Sequence, residues 1–213
     1  MARKYELKRR AERQQMTQRR IVEAAVALHE TLGGATTVGA IAERAGVDRP
    51  TVYRHFPDQQ ALFVACTGHY FALHPLPDPA RWRAISEPAA RLRAGLVDVY
   101  TFWRHTERMM IQAEREVDAL PSLREALAPF FAYWQRAHDV LAEGWETDTS
   151  ADGPERERTR RRLHAAVAHA TAFATWRSLV REQGLSEGEA VDLMVCMVCC
   201  AASCGTIAEA SDS

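Results

Sequence analysis

The sequence predicts an all-α protein in which a small N-terminal module of short helices precedes a larger bundle of long helices. Apolar residues recur at helical spacing wherever a pattern is clear, and no segment alternates with period two for long enough to indicate a strand. Glycines and prolines end several of these patterns. We therefore expect about nine helices, divided between an N-terminal domain, residues 1–58, and a C-terminal domain, residues 59–213.

Three short helices are predicted in the N-terminal domain. Their apolar residues lie three and four positions apart, side chains that can cap a helix precede the second and third, and glycine or proline follows each one. The expected helices are Thr17–Leu32, Val38–Ala45 and 49–56, with Thr36, Thr37 and Asp48 as cap candidates, Pro50 in the first turn of the third helix, and Gly33, Gly34, Gly46 and Pro57 as terminators.

Longer helices are predicted after residue 58. The fourth helix, Gln59–His74, cannot continue through 74–79, which contains three prolines. The segment Glu146–Pro154 is polar and rich in turn residues, so we expect a loop there. The other expected helices run through Leu92–Trp103, Met109–Val117, Leu123–Trp145, Glu155–Gln183 and Ser186–Glu209.

Charge is divided unevenly along the chain, although the formal net charge is only -1. Residues 1–57 carry 11 Lys and Arg against 6 Asp and Glu, a net charge of +5, so the rest carries -6. A basic head is typical of a protein that binds a polyanion. No apolar run follows the N-terminal cations, as it would in a signal peptide or an anchor, so we expect a cytoplasmic protein without a membrane attachment.

The second and third helices have the spacing of a DNA-reading motif. Two short helices joined by a glycine-containing turn, here Ala45–Asp48, can lay the second helix in the major groove of DNA. Val52 and Phe56 are predicted to face inward, which leaves polar, aromatic and cationic side chains outward. These can bond base edges and phosphates, and the free helix end near Thr37 can meet a phosphate. The outward residues are Arg49, Thr51, Tyr53, Arg54 and His55.

Residues Thr36–Phe63 read TTVGAIAERAGVDRPTVYRHFPDQQALF. They resemble the DNA-binding half of the TetR family of bacterial repressors, whose pattern is IAxxAGV, then TxYxHF, then a leucine shortly after. Trp176–Ala190, WRSLVREQGLSEGEA, is similar to the junction between the last two helices of some TetR-type effector domains. The resemblance implies an all-α homodimer that binds double-stranded operator DNA through its N-terminal helices and a small effector, which weakens DNA binding, through its larger domain.

Carried over position by position, the resemblance implies that Thr37, Arg49, Pro50, Thr51, Tyr53 and His55 lie at the DNA. One position departs from the family, because Gln59 stands where many members have a lysine that reaches a phosphate. That contact could pass to a basic arm before the first helix, which would follow phosphates or enter a minor groove, or else remain a solvated chain end. The cations of this arm are Arg3, Lys4, Lys8, Arg9, Arg10 and Arg13.

The effector site is expected between the helices of the C-terminal domain. Such sites are mostly apolar with a few polar groups, and the central helices here carry aromatic residues and methionines with histidines among them. This composition fits a small hydrophobic or aromatic effector, whose binding would displace the fourth helix, although core packing explains the same residues. The candidates are Trp103, Met110, Phe130, Trp134, His138, His169 and Phe173.

The last helix is apolar on more than one face, so we expect a homodimer through the last two helices. Four cysteines on that helix leave open a thiol-based redox or soft-metal sensor, with small apolar packing as the simpler explanation. They are Cys196, Cys199, Cys200 and Cys204.

No catalytic motif occurs in the sequence, which lacks GxSxG, GxGxxG, a phosphate loop, HExxH and an ExxH pair. We therefore expect neither an enzyme nor a bound cofactor or metal. The function predicted is that of a ligand-responsive transcriptional regulator, a repressor released from its operator by an effector. The alternatives are the thiol or metal sensor and a helical small-molecule binder that does not bind DNA.

Overall fold

A computed structural model of the chain describes residues 2–145 and 153–203. All regular structure in these residues is helical, which confirms the predicted fold class. None of the described helices is both long and apolar enough to cross a membrane. The α-helices are α1 (Ala2–Leu32), α2 (Val38–Ala45), α3 (Arg49–His55), α4 (Gln59–Leu73), α5 (Pro79–Arg83), α6 (Pro88–Glu116), α7 (Pro121–Ala126), α8 (Ala128–Ala142), α9 (Gly153–Thr171), α10 (Phe173–Arg177) and α11 (Glu187–Ser203).

The described residues form two compact units, neither of which is continuous in sequence. The first unit contains the chain up to Pro75 together with Thr106–Phe130. The second contains Leu76–His105 and the chain from Phe131 onward. Helix α6 therefore supplies residues to both units, and the first crossing falls within the proline-rich run that ends α4. The functional division into residues 1–58 and 59–213 stays a prediction.

The first unit is built around the apolar faces of α1, α2 and α3. Ile21, Ala25, Ile41 and Val52 are at most 1% exposed, because the helical spacing of these residues places them on inward faces. Helix α4 packs against α1 and also against α7. The helix that follows the predicted DNA-reading motif is thus held within the same unit as the motif.

The ends of the short helices have the local chemistry that the sequence predicts. The side-chain oxygens of Thr37 and Asp48 accept hydrogen bonds from the N–H groups of Ala40 and Thr51, at 3.2 and 2.9 Å. Gly46 ends α2 with a φ of +63°, in the left-handed region that glycine adopts readily. Asp58 caps α4 in the same way as Asp48 caps α3.

The second unit has a core of large side chains from α6, α8, α9 and α10. Leu96, Tyr100, Leu141 and Trp176 are essentially inaccessible to solvent. Helix α9 packs against α10 and α11, whose inward residues include Val191. Several polar side chains of this core have hydrogen-bond partners, among them Tyr100, Trp103 and the half-buried His138.

The predicted start of the first helix at Thr17 is wrong, because α1 already begins at Ala2. Residues 2–16 contain no glycine or proline and are rich in Arg, Lys, Glu and Gln, which favour helix. An i,i+4 pair between Lys8 and Glu12, at 4.0 Å, adds a small contribution. The expected arm is therefore part of a helix and not an extended segment.

Two later helix predictions are also corrected. The two helices expected in Leu92–Val117 are one helix, α6, because no glycine or proline separates Trp103 from Met109. The single helix expected over Leu123–Trp145 is divided at Leu127 into α7 and α8, and Pro129, which has no N–H to donate, lies in the first turn of α8.

The helix expected over Glu155–Gln183 is interrupted at Ala172, whose ψ of 142° is extended. The cause is tertiary: the Tyr100 hydroxyl donates to the carbonyl of Ala170 at 3.0 Å, and Trp103 Nε1 donates to that of Thr171 at 2.9 Å. These donors come from α6 and take carbonyls that the helix would otherwise use. After α10 the chain forms a π-helical turn, Ser178–Glu182.

Two predictions extend beyond the described residues. Most of the expected loop, 146–152, lies outside them. The last helix is described as far as Ser203, so its expected continuation to Glu209 lies outside them as well.

Candidate DNA-binding surface and internal cavity

Helix α3 has one buried face and one exposed face, divided as the sequence predicts. Val52 and Phe56 are 1% and 4% exposed, and both belong to the apolar core of the first unit. Arg49, Pro50 and Tyr53 are exposed, and half of the Tyr53 side chain is open to solvent. The polar face of α3 is therefore available to a partner while the opposite face is fixed.

Hydrogen bonds arrange the polar groups on this face. The Arg54 guanidinium donates to the Thr51 hydroxyl at 3.1 Å, which holds both side chains over the middle of α3. His55 is half-buried, and burial together with the nearby Arg54 charge lowers the pKa of its imidazole. A neutral imidazole at the end of α3 can both donate and accept a hydrogen bond.

The N-terminal end of α3 lies close to α2. A Cβ atom at Gly39 would be 2.5 Å from Nη2 of Arg49, so the glycine leaves the space in which this guanidinium rests. The hydroxyl of Thr37 is exposed, but it already accepts the capping hydrogen bond of α2. Thr37 can therefore meet a phosphate only while sharing its oxygen with the helix end.

Arg20 is a residue of this region whose role the sequence did not reveal. Its Nη2 donates to the carbonyls of Ala45 and Gly46, at 2.8 and 3.2 Å. These are the last carbonyls of α2 and its turn, where a cation is favourable. Arg20 thus ties α1 to the turn between α2 and α3, and the sequence showed it only as one of many cations in the basic head.

The two other candidate DNA contacts have different surroundings. Lys8, Arg9, Arg10 and Arg13 are exposed on the first turns of α1. Gln59, which replaces the family's lysine, lies in the first turn of α4, where its Oε1 accepts a hydrogen bond from the Ser122 hydroxyl at 3.4 Å. The amide therefore contacts α7 of the same unit.

A cavity of about 60 Å³ lies inside the first unit, between α1, α4, α6 and α7. Its wall is mostly apolar and contains aromatic rings, methionines and leucines, with a few polar side chains. The lining residues are Val26, His29, Gly33, Phe63, Cys66, Thr67, Tyr70, Phe71, Met109, Met110, Gln112, Ala113, Glu116, Leu123 and Leu127.

Two polar atoms in this wall lack a hydrogen-bond partner among the described residues, namely Nε2 of His29 and the hydroxyl of Tyr70. Both atoms are shielded from solvent, and Tyr70 as a whole is 3% exposed. Burial raises the pKa of the Tyr70 hydroxyl and lowers the pKa of His29, so both groups are neutral near pH 7. Unpaired buried polar groups are rare in folded proteins, which makes this pair unusual.

One edge of the cavity is closed by a contact between α6 and the turn that follows α1. The carboxylate of Glu116 accepts a hydrogen bond from the backbone N–H of Gly34. Gly33 has a φ of +52°, and a Cβ atom there would collide with Glu116 and lie 2.7 Å from Oε1 of Gln112. Glycine at this position therefore permits both the backbone turn and the close approach of α6.

The seven predicted effector residues are divided between the two units. Met110 lines the cavity, and the Phe130 ring stacks on Phe71 of the cavity wall, with centroids 5.2 Å apart. The other five lie in the second unit. Trp103 packs between Trp134 and Phe173, at 5.1 and 5.5 Å, His138 bonds the Thr171 hydroxyl at 2.9 Å, and His169 is exposed.

His29, Tyr70 and Glu116 are not among the effector residues that the sequence predicts. His29 follows Leu28 on the inward side of α1, and Tyr70 belongs to the apolar pattern of α4. A histidine beside an apolar stripe was the available signal. This signal does not stand out in the sequence, because the first helix belongs to the part of the chain that is predicted to bind DNA.

The cysteines of α11 are Cys196 and Cys200, which are exposed, and Cys199, which is half-buried; Cys204 lies outside the described residues. Burial raises the pKa of Cys199, whereas reactive cysteines depend on a lowered one. No three His, Cys, Asp or Glu side chains of residues 2–145 and 153–203 are placed to hold one metal ion. The sensor alternative thus has no observation in its favour within these ranges.

Comparison with known proteins places this geometry in context. Residues 21–66, from the middle of α1 into α4, match the family model described as bacterial regulatory proteins, tetR family. No curated protein sequence matches the chain. Solved structures of similar fold do exist, at 14 to 21% sequence identity.

Three of these structures cover most of both chains. A Clostridium perfringens protein assigned to the regulation of fatty acid metabolism is 14% identical, with a TM-score of 0.59, over 84% of this chain and 96% of its own. NalD, the secondary repressor of the MexAB-OprM multidrug efflux pump in Pseudomonas aeruginosa, is 21% identical, with a TM-score of 0.56, over 88% and 95%. A TetR-like transcriptional regulator from Rhodococcus sp. RHA1 is 20% identical, with a TM-score of 0.55, over 86% and 94%.

The family match coincides with the helix–turn–helix whose exposed polar face is described above. Members of the family are DNA-binding transcriptional regulators that dimerise. The similar structures share the helical fold of the described residues over most of the chain. The N-terminal part of this chain, residues 21–66, therefore matches the tetR family of bacterial regulatory proteins, and the fold of the described residues is similar to that of the solved structures above.

Proposed function

We propose that the protein is a repressor that binds its operator through α3 and releases it when a small, mainly apolar effector binds. The residues proposed to contact DNA are Thr37, Arg49, Pro50, Thr51, Tyr53, Arg54 and His55. The exposed polar face of α3, opposite a face fixed in the core, is the observation that carries the proposal.

The chemistry of this face suits a major groove. An arginine can donate two hydrogen bonds to a guanine edge, while hydroxyl and imidazole groups bond phosphate oxygens. Both Arg49 and Arg54 are exposed, and no described carboxylate forms an ion pair with either. Their charges are therefore open to DNA in the free protein.

One copy of such a module makes few base contacts, so the proposal includes a homodimer that reads two half-sites about 34 Å apart or more. The last helices are proposed as the interface. Helix α11 exposes Leu193 and Met197, which are 41% and 48% accessible in the single chain, and a second copy would cover them.

Release by an effector requires that the effector prefer one conformation of the protein. Helix α4 suits this role, because it follows α3 directly and also supplies Phe63, Tyr70 and Phe71 to the cavity of the first unit. A ligand that shifts α4 would shift the support of α3.

The DNA-binding part is tested by fluorescence anisotropy with duplex DNA from the region upstream of the protein's own gene. Replacing Arg49 by Ala should weaken binding about 10- to 100-fold, since a good bidentate contact contributes about 1–3 kcal/mol. The matched control is Arg136→Ala, at an exposed position of α8, which should change binding little. Both residues are exposed, so both variants should melt like the unmodified protein.

Two results would contradict the proposal. One is equal affinity of the protein for its upstream DNA and for a scrambled duplex. The other is an Arg49→Ala variant that binds as tightly as the Arg136→Ala control. A steep loss of affinity with rising salt is expected in addition, because phosphate contacts release counterions.

A further inference from the structure

We propose that the cavity of the first unit binds a small apolar molecule that carries one hydroxyl group, of which phenol is the simplest aromatic example. The claim of binding stands on the cavity alone, and only its effect on DNA rests on the proposed function. The site differs from the predicted effector residues, five of which lie in the second unit.

Two polar side chains of the cavity wall offer one unpaired acceptor and one unpaired donor. Nδ1 of His29 lies 3.4 Å from the carbonyl oxygen of Gly33, which can only accept, so the ring proton is assigned to Nδ1. Nε2 is then an acceptor without a partner among the described residues, on a side chain that lines the cavity. The Tyr70 hydroxyl, buried and protonated, is an unpaired donor.

A hydroxyl group matches this pair, because its hydrogen can be donated to His29 while its oxygen accepts from Tyr70. A carboxylate offers only acceptors and an ammonium only donors, so neither satisfies both atoms. A charged ligand would also lose its hydration in a wall that is mostly apolar, and the carboxylate in that wall, Glu116, already accepts a hydrogen bond from Gly34. The ligand expected from these atoms is therefore neutral.

The rest of the wall selects an apolar body. Phe63 and Phe71 present aromatic rings, and Leu123 and Leu127 close the side formed by α7. An apolar cavity that holds benzene measures about 150 Å³, so an aromatic ring needs more room than the present 60 Å³. Met109 and Met110 can supply this room, because methionine has three rotatable side-chain bonds and adapts its shape to a ligand.

The position of the cavity connects the ligand to the DNA-binding helices. His29 and Gly33 belong to the end of α1 and the turn before α2, and Glu116 holds that turn through Gly34. Any room that Met109 and Met110 do not supply must come from a displacement of this part of the wall. A bound ligand thus acts on the segment that positions α2, within one compact unit.

The experiment is isothermal titration calorimetry of the full-length protein with phenol and with benzene, which lacks only the hydroxyl group. Phenol should bind at least about tenfold more tightly, since benzene leaves the polar pair unpaired. The Tyr70→Phe variant should lose most of this preference, because it removes the donor with little change of volume. Tyr100→Phe is the matched control and should keep the preference, since that hydroxyl already donates to Ala170 in the second unit.

The ¹⁵N resonance of His29 Nε2 gives a second measurement that needs no variant. It should shift when phenol binds and stay in place with benzene. The proposal is overturned if phenol and benzene bind equally, if neither binds at millimolar concentration so that water alone fills the cavity, or if Tyr70→Phe keeps the full preference.

Operator binding in the presence of phenol separates the inference from the proposed function. Weaker operator binding in the unmodified protein, but not in Tyr70→Phe, supports both. Selective phenol binding with unchanged operator affinity supports the site and contradicts effector release through it. Failure to bind phenol, with intact operator binding, overturns the inference alone.

Discussion

The buried polar groups of the two units differ in whether they have hydrogen-bond partners. In the second unit Tyr100, Trp103 and Tyr133 donate to backbone carbonyls, and His138 bonds Thr171, all at 2.8–3.0 Å. In the first unit the comparable groups are His29 Nε2 and the Tyr70 hydroxyl, which are buried and have no partner among the described residues.

This difference indicates different tasks. A satisfied polar interior fixes one arrangement, since any shift leaves a group unpaired. An unsatisfied one is less constrained and gains from a ligand that completes it. Trp176 Nε1 is the exception in the second unit, with no hydrogen-bond partner among the described residues, although the guanidinium of Arg181 lies 5.0 Å from its ring. We interpret the second unit as the scaffold and the first as the adaptable part.

The largest expected effect is on the stability of the second unit, and it comes from replacing Arg91, which is 6% exposed. Its guanidinium donates to the carbonyls of Ile85 and Glu143 at 2.9 and 2.6 Å, so Arg91→Met leaves buried acceptors unpaired. We expect a loss of about 3 kcal/mol in the free energy of unfolding, measured with urea.

The control for this variant is Arg93→Met on the same helix. Arg93 pairs with Asp192 at the surface, where half of its side chain is exposed, so its loss should change stability by no more than about 1 kcal/mol. Equal effects of the two variants would show that the buried bonds do not hold the scaffold.

The next effect compares two buried tyrosines by removing only the hydroxyl group. Tyr100→Phe should destabilise the protein by about 1–2 kcal/mol, because the carbonyl of Ala170 loses its donor. Tyr70→Phe should leave stability unchanged or slightly raised, because its hydroxyl is buried without a partner. Differential scanning calorimetry measures both, and a larger loss for Tyr70→Phe would contradict the comparison.

The smallest effect concerns pH. Burial lowers the pKa of His29, although the hydrogen bond to Gly33 and the charge of Glu116 act in the opposite direction. Burial and the nearby His164 likewise lower the pKa of His138, and the charge of Asp139 opposes them. The unfolded chain, with imidazole pKa values near 6.5, therefore binds protons before the folded one does. Stability should be constant above that pH and fall as the pH decreases toward the folded pKa values.

Urea midpoints between about pH 7 and pH 5 measure this dependence. Each of the variants His29→Gln and His138→Gln should reduce the slope, and the double variant should reduce it further. A slope unchanged in both single variants would show that other groups cause the acid sensitivity.

The sequence predicted those parts of the fold whose causes are local. The turn between α2 and α3 follows from Asp48, Gly46 and Pro50, whose effects act over a few residues. The break at Ala172 could not be predicted, because its cause is two donors on α6 about 70 residues away in the sequence. Long-range hydrogen bonds of this kind leave no periodic signal.

The same distinction applies to the candidate sites. The outward face of α3 follows from helical spacing once Val52 and Phe56 are recognised as core. The predicted effector residues are aromatic residues, a methionine and histidines on apolar stripes, a pattern shared by cores and cavities. Which of them faces empty space depends on how helices pack, and the composition of a stripe does not contain that information.

The continuous length of α1 also limits how the N-terminal cations can act on a duplex. An α-helix with its side chains is about 10–12 Å wide, whereas the minor groove of B-form DNA is about 6 Å wide. While residues 2–16 remain helical, the helix itself cannot lie in that groove, and Lys8, Arg9 and Arg13 first meet the phosphates at its rims. They would then add attraction to any duplex without distinguishing one base sequence from another.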